Sequence, residues 1–386
     1  MPPSNTPTDI VEELFVGEGI GVEVELNSES EEGGIKPWDP DKIRVVTKNF
    51  SLRNVLDMID TNDLELAPDF QRNRVWKSRQ KSRLIESLLL QIPLPAFYFA
   101  EDSDGLLRVV DGLQRLSTIH SFVRENDFPL HDMEYLSSEE GKSFEHLSQV
   151  LQRRLHNAQI VVHVIDPTTP EEVKYDIFKR INTGGEPLNS MEIRHCMSRS
   201  RSRDFLRRCC DSPAFNTATG DALLSHIRMQ DREAALRFLA FRMISNISQY
   251  EEFGTLERLL DWATAQLDNE LLVPDSDLEL LFNDFESSME KATIVFGSHA
   301  FRKWPLDSSD RLSPINRALF ESWAISLAEP SIQYVKKYRE FIVEKARYAM
   351  TYDQDYLASI SSSTGNPGRL RKRFEVADEI VREAGK

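Results

Sequence analysis

Residues 106–122 read LLRVVDGLQRLSTIHSF, and this stretch decides the fold of the first half of the chain. Its opening, 106–110, is a short apolar run typical of a buried strand, although Arg108 interrupts it. Asp111-Gly112 then predicts a turn. Apolar residues follow with helical spacing, at Leu113, Leu116, Ile119 and Val123. The stretch therefore predicts a strand, a tight turn and a helix in direct succession.

Polar side chains crowd the turn and the first turns of this predicted helix. They are Asp111, Gln114, Arg115, Ser117 and Thr118. A helix N-terminus attracts phosphate because its N–H groups are unpaired and its dipole is positive there. A guanidinium such as that of Arg115 can hold a phosphate through two parallel hydrogen bonds. The alternative is an ordinary capped helix, since Asp is common at the position before a helix. Neither GxxxxGK[ST] nor GxGxxG occurs in the chain.

The composition of the 386-residue chain is that of an ordinary soluble globular protein, with 40% hydrophobic and 28% charged residues. Its formal net charge of −16 argues against coating nucleic acid by bulk charge, while leaving room for local basic patches. Only three cysteines occur, and no apolar run is long enough to cross a membrane. We therefore expect a reduced, cytoplasmic protein with no membrane partner.

The sequence predicts three regions. Residues 1–36 are acidic and rich in Ser, Gly and Pro, which predicts a disordered leader; a partner-binding tail is the alternative. Residues 37–166 alternate short apolar runs with amphipathic segments, which predicts an α+β domain with a small mixed sheet and helices. Residues 167–386 show helical periodicity almost throughout and predict an all-α domain.

A second polar cluster, PDFQRNRVW at 68–76, leads into a helix predicted over 79–91. Gln71 and Arg72 follow a predicted short strand. Basic side chains open the helix, at Lys77, Arg79, Lys81 and Arg83. Because basic residues at a helix N-terminus oppose the helix dipole, a bound phosphate would offset the unfavourable charge. The alternative is a solvated basic face on an acidic protein.

A third cluster, FKRINTGGEPLNSMEIRHC at 178–196, joins two predicted helices through a pair of glycines. Arg180 and Asn182 are candidate ligand contacts beside this glycine loop, although a simple joint between well-capped helices explains the pattern better. Asn189 or Ser190 is expected to cap the second helix, with Glu192 completing a capping box. Six arginines then lie between 194 and 208. They either contact nucleic-acid phosphates or pair with acidic neighbours, and pairing is the favoured interpretation.

Taken together, these segments resemble the N-terminal domain of the GmrSD-type restriction endonucleases. The resemblance runs from about residue 36 to 200 and is carried by PDFQRNRVWKSRQKSRLIESLLLQIPLPAFYF, VVDGLQRLSTI and FKRINTGGEPLNSMEIRHC, in that order. That family has a DGQQR motif, which reads DGLQR at 111–115 here, and it is related to the ParB/sulfiredoxin-like fold. The helical remainder, with RMQDREAALRFLAF at 228–241, is similar to the companion region of many members.

The resemblance implies nucleotide binding, often with NTP hydrolysis, in bacterial defence against phage DNA. Four residues match the DGQQR motif, namely Asp111, Gly112, Gln114 and Arg115. Gln71 and Arg72 match the FQR segment, and Arg180, Asn182 and Gly184 match the RINTGG segment. The first Gln of the family motif is Leu113 here, so hydrolysis would be weakened if that Gln contacts nucleotide or water. Full restriction members carry an HNH-like nuclease domain that this sequence does not show, which implies a separate nuclease subunit.

We therefore expect a nucleoside triphosphate and Mg²⁺ as ligands. Arg115 and Arg72 would hold phosphates, Asp111 would hold the metal or orient water, and Gln114 would position water or the sugar. The full set of predicted nucleotide-binding residues is Gln71, Arg72, Gly112, Arg115, Ser117, Thr118, Arg180, Asn182 and Gly184. The alternatives are a non-enzymatic DNA-binding or adaptor protein with a vestigial pocket and, more weakly, a nuclease that uses Asp111. The sequence leaves the oligomeric state open.

Overall fold

The computed structural model describes residues 10–15, 17–25, 43–66, 76–102, 104–181, 188–308 and 312–386. The chain divides into two compact units. One comprises residues 36–197 and is called the α+β unit; the other combines 1–35 with 198–386 and is called the helical unit. The first limit lies one residue from the predicted 36/37. The second differs from the predicted 166/167, because two helices beyond 167 pack on the sheet of the α+β unit.

The described strands, in chain order, are β1 (Glu12–Phe15), β2 (Glu18–Glu23), β3 (Val45–Ser51), β4 (Leu64–Glu65), β5 (Phe97–Glu101), β6 (Leu107–Asp111) and β7 (Gln159–Ile165). The helices of the α+β unit are α1 (Leu52–Asp60), α2 (Ser78–Leu89), α3 (Leu113–His120), α4 (Gln149–Asn157), α5 (Glu171–Ile181) and α6 (Ser190–Met197). This pattern, a small mixed sheet with helices followed by a helical region, confirms the predicted fold class.

The helical unit contains ten further α-helices among the residues that the structure describes. They are α7 (Ser200–Cys210), α8 (Pro213–Thr219), α9 (Gln230–Met243), α10 (Tyr250–Phe253), α11 (Leu256–Leu267), α12 (Asp275–Phe296), α13 (Arg317–Ser326), α14 (Ile332–Tyr352), α15 (Gln354–Ser359) and α16 (Pro367–Glu383). Within the described part of the chain, no helix has both the length and the apolar character that crossing a bilayer requires.

The five-stranded sheet of the α+β unit has the order β3-β7-β5-β6-β4. β4 and β6 run parallel, whereas β5 is antiparallel to β6 and parallel to β7. Consequently β4 and β6 end at the same edge of the sheet at which β5 and β7 begin. Asp111 closes β6 at this edge, which we call the Asp111 edge. The chain that leads to the FQR segment also leaves β4 there.

Apolar side chains cover both faces of this sheet. On one face α1 to α4 bury a continuous core against strand residues such as Phe97, Phe99 and Val162. On the other face a smaller cluster joins α5 and α6 to the sheet through Val110, Phe178 and Ile193. The periodicities of the sequence produce this arrangement, since alternate strand residues point to opposite faces and helices bury one apolar stripe.

The helical stretch between residues 190 and 210 consists of two helices. α6 ends at Met197 and α7 begins at Ser200, so the break falls at the limit between the two compact units. The predicted capping box is confirmed: Glu192 N–H donates to Asn189 Oδ1 at 2.8 Å, and Asn189 N–H donates to Glu192 Oε2 at 2.7 Å. The sequence therefore predicted the capping of α6 correctly. It did not predict the break between α6 and α7, where the chain passes from one compact unit to the other.

Part of the acidic leader is ordered, in contrast to the prediction. β1 and β2 form an antiparallel hairpin that belongs to the helical unit. Its carboxylates and those of the adjoining Glu25 meet cations from distant helices and loops. The resulting buried ion cluster consists of Glu13, Glu23, Glu25, Glu233, Arg237, Lys303, Arg317, Glu321 and Arg373. Acidic residues that look like a solvated tail are thus internal partners, because their cations lie more than two hundred residues further along the chain.

The ion cluster predicts a loss of stability in acid. Burial favours the neutral form of Glu25, but Arg237 and Arg317 outweigh burial and hold its pKa at about 2, below the ordinary 4.5. A carboxylate with a lowered folded-state pKa stabilises the fold above its unfolded-state pKa and loses this contribution as the pH falls. We expect the helical unit to lose about 3 kcal/mol through this group between about pH 5 and pH 2.

Urea unfolding at stepped pH tests this expectation against Glu25→Gln, which cannot titrate. The variant should be less stable at neutral pH and should show a shallower acid dependence. Equal acid dependence of the two proteins would show that Glu25 does not carry the effect.

Candidate functional site

The turn between β6 and α3 requires glycine at 112. Gly112 has φ +96° and ψ 8°, a left-handed conformation that side chains disfavour. A Cβ atom at this position would lie 2.2 Å from Cδ1 of Phe97. Gly112 therefore lets α3 start directly against β5. Because glycine has no side chain, the first N–H groups of α3 receive no cap from this position.

Arg115 fastens this turn to the start of β5. Its Nη2 donates to Asp111 Oδ2 at 2.8 Å and to the Ala96 carbonyl at 3.2 Å, and its Nη1 donates to the Pro95 carbonyl. The guanidinium also lies 4.2 Å from the centre of the Phe97 ring. Only 13% of the side chain is exposed. Burial lowers the pKa of Arg115, and Asp111 opposes this shift; the group stays charged at neutral pH.

These contacts give Arg115 a positioning role, while its contact with a phosphate stays a prediction. Three of the five N–H groups of a guanidinium are directed at internal acceptors, so the side chain positions Asp111 and the turn. The resulting arrangement is preorganised, because the carboxylate at the end of β6 is held in one orientation by a cation that is itself fixed to the backbone.

Leu113, the departure from the family motif, belongs to the core. Its side chain is 8% exposed and packs in the cluster under α1 to α4. Its neighbour Gln114 is half-buried, and its amide makes no hydrogen bond to another described residue. Asp111 Oδ1 is similarly without a partner among the described residues, and 32% of that side chain is exposed. The groups that can meet a ligand at this turn are therefore those of Asp111 and Gln114, not the side chain at 113.

The other predicted contacts are distributed along neighbouring elements. Ser117 is half-buried one turn further along α3, whereas Thr118 is buried and faces the interior. Arg180 is exposed in the last turn of α5. The remaining predicted residues, Gln71, Arg72, Asn182 and Gly184, lie outside the described residues.

At the basic start of α2, some cations contact other residues of the unit and others face solvent. Arg83 pairs with Glu134 at 3.1 Å, and Lys81 lies 5.2 Å from the centre of the Phe128 ring. Lys77 and Arg79 are exposed, and neither has a side-chain partner among the described residues. Two of the four cations are thus used internally, and two face solvent.

The arginine-rich stretch is largely paired within the protein. Arg201 contacts Asp275 at 2.7 Å, Arg208 contacts Glu279 at 2.7 Å, and Arg207 contacts Asp204. Arg194 and Arg203 are buried. The interpretation that favoured acidic neighbours is confirmed for the three ion pairs, and the stretch does not present a free basic face at these positions.

Sequence reasoning missed two features of the sheet. Arg108 is buried and contacts Glu65 at 3.0 Å and Asp102 at 2.7 Å; its place within an apolar run was the available signal. The second feature is a row of side chains at the Asp111 edge, in which Tyr98 and His163 are neighbours. No signal in the sequence points to this row, because it arises from pairing between strands that are distant along the chain.

The fold and the turn define an α+β domain with a polar strand–turn–helix junction at a sheet edge. Residues 52–197 match the family model described as GmrSD restriction endonuclease, N-terminal domain. The match confirms the resemblance carried by the motifs. It extends from α1 to the end of α6, which are the helices of the α+β unit. No curated protein matches the chain.

Proposed function

We propose that the α+β unit binds and hydrolyses a nucleoside triphosphate at the Asp111 edge, as a component of a restriction or anti-phage system. The observation that carries the proposal is the junction itself. A helix begins there without a side-chain cap, beside an amide and a carboxylate oxygen that have no partner among the described residues. Such a helix start is suited to an anion. The family name of segment 52–197 supports the restriction context.

The roles of the motif residues follow from their contacts. The first N–H groups of α3 receive a phosphate, and Gln114 orients the attacking water or the sugar. In hydrolysis the water oxygen bonds to the terminal phosphorus, and the bond from that phosphorus to the bridging oxygen breaks. The products are the nucleoside diphosphate and inorganic phosphate. Arg115 holds Asp111 and the turn in place. The exposed Lys77 and Arg79 at the start of α2 supply further positive charge within the same unit.

Mg²⁺ fits this site as a partner of the nucleotide. Among the described residues, no group of three or more His, Cys, Asp or Glu side chains is arranged to hold a metal ion alone. Nucleotide-bound Mg²⁺ needs only one or two carboxylates in addition to phosphate oxygens and water. Asp111 offers one carboxylate oxygen for this purpose. When bound, the ion would neutralise charge on the phosphates.

The proposal includes a division of labour between two proteins. In this proposal the nucleotide state of the α+β unit is the signal, and DNA is cut by a separate nuclease subunit. The proposal does not require the paired arginines between 194 and 208 to contact DNA.

Calorimetry with Mg²⁺ and each of ATP, GTP, CTP and UTP tests the proposal. We expect the wild type to bind at least one of them. Gln114→Ala should weaken that binding about tenfold or more, since a hydrogen bond to a charged group contributes about 1.5–3 kcal/mol. Gln149→Ala is the matched control, because Gln149 is exposed at the start of α4 in the same unit. Absence of heat from all four nucleotides would end the proposal.

A further inference from the structure

We infer that Tyr98 and His163 form a stacking platform for the base of the bound nucleotide. This inference rests on the proposed function and adds to it the part of the nucleotide that the motif residues do not reach. The platform lies in the α+β unit, on the sheet next to the Asp111 edge.

Four strands place the relevant residues in one row. Thr47 of β3 is paired with His163 of β7, His163 with Tyr98 of β5, and Tyr98 with Asp111 of β6. Neighbouring strands lie about 4.8 Å apart, so Tyr98 is one strand spacing from Asp111 and His163 is two. The base and the phosphates of one nucleotide are separated by the ribose. Tyr98 packs on the face of the sheet that α5 and α6 cover, whereas α3 packs on the opposite face, so a nucleotide with its base on the platform reaches the start of α3 by crossing the Asp111 edge.

The strand register is irregular at this point. The pairing of β5 with β6 shifts between Tyr98 and Phe99. Such irregularities re-aim side chains and are frequent beside active sites. Here the shift coincides with the end of β6, where the strand gives way to the turn at Gly112.

The two rings are fixed but accessible. Their centres are 4.8 Å apart with an angle of 40° between the planes, and Thr47 Oγ1 lies 2.9 Å from His163 Nδ1. Both residues are half-buried. Neither the Tyr98 hydroxyl nor His163 Nε2 has a hydrogen-bond partner among the described residues. The pair thus offers an aromatic face and two polar atoms that no described residue uses.

The surroundings favour a flat apolar group over a second anion. Val45 and Val161 lie on the same face by strand alternation and are 40% and 41% exposed. No Lys or Arg belongs to the row. A nucleobase combines an apolar face with hydrogen-bonding edges, and stacking on aromatic side chains accepts every base.

Calorimetry of the wild type with a bound triphosphate and with inorganic tripolyphosphate separates the base from the phosphates. We expect the nucleotide to bind more tightly. Tyr98→Ala should weaken nucleotide binding about 10-fold or more and leave tripolyphosphate binding within about twofold. Tyr98→Phe keeps the ring and should stay close to the wild type. Tyr135→Ala is the control, because Tyr135 is a 70% exposed tyrosine elsewhere in the unit.

Tyr98 also packs on the cluster that contains Cys196, so thermal unfolding of Tyr98→Ala is measured in parallel. His163→Ala provides a second test, with the same expected selective loss of nucleotide binding. Saturation-transfer NMR on the wild type should place the strongest transfer on the base protons. Equal affinity of the wild type for nucleotide and tripolyphosphate overturns the platform and leaves the site at α3 standing. If no triphosphate binds, the proposed function fails and the platform fails with it.

Discussion

Arg237→Met is expected to destabilise the helical unit by about 3–5 kcal/mol, the largest effect of any single substitution considered. The side chain is 4% exposed and contacts three carboxylates, with Glu25 at 2.9 Å, Glu233 at 2.6 Å and Glu321 at 2.5 Å. Methionine fills most of the space but leaves these carboxylates without their shared cation. An unpaired buried charge is expensive because the interior screens and solvates it poorly.

Urea unfolding at neutral pH measures this effect, with Arg208→Met as the matched control. Arg208 also forms an ion pair, with Glu279, but both side chains are about half exposed. Exposed pairs contribute about 0–1 kcal/mol, so the control should remain near the wild type. Similar losses in the two variants would contradict the view that the buried ion cluster holds the hairpin and the helices together.

Gly112→Ala is expected to destabilise the α+β unit by about 2–4 kcal/mol and to abolish nucleotide binding. Two causes combine. Alanine is strained at φ +96°, and its Cβ would meet Phe97 at 2.2 Å. Moving the Phe97 ring also removes the surface on which Arg115 lies, and with it the fixed position of Asp111.

Gly105→Ala separates the two causes. Gly105 has φ +85°, but no atom lies within 4 Å of the position that a Cβ would occupy. Gly105→Ala therefore introduces the backbone strain without a steric contact. Its free energy of unfolding should fall by about 1–2 kcal/mol, and nucleotide binding should be unchanged. Thermal unfolding and calorimetry on both variants provide the comparison. Equal behaviour of the two variants would show that the contact with Phe97 is unimportant.

Much of the local structure was predictable from the sequence. The strand, turn and helix of residues 106–122 appear as β6, Gly112 and α3, with limits that differ by one residue at the strand. The helical periodicity predicted beyond residue 167 appears in the structure from α5 (Glu171–Ile181) onward. Local signals suffice in these cases, because apolar periodicity and capping residues act over a few positions of the chain.

The candidate site was predictable only in part. The motif residues of the turn were identified, but the sequence assigned Arg115 to phosphate and left Leu113 as a potential defect. In the structure Arg115 contacts Asp111 and the carbonyls of Pro95 and Ala96 just before β5, and Leu113 packs in the core. The direction of each side chain in the first turn of α3 depends on the strand that lies beside it. The sequence does not show that this strand is β5.

The sequence by itself determined the class of fold, the resemblance of segment 52–197 to a known family and the junction at Asp111-Gly112. Each depends on residue types at short, fixed spacing, so neighbours along the chain are enough to specify them. The tertiary structure alone decided that an acidic hairpin belongs to the helical unit and that Thr47, His163, Tyr98 and Asp111 form one row. These features depend on strand order and register, which are set by long-range packing of whole elements and leave no local mark in the sequence.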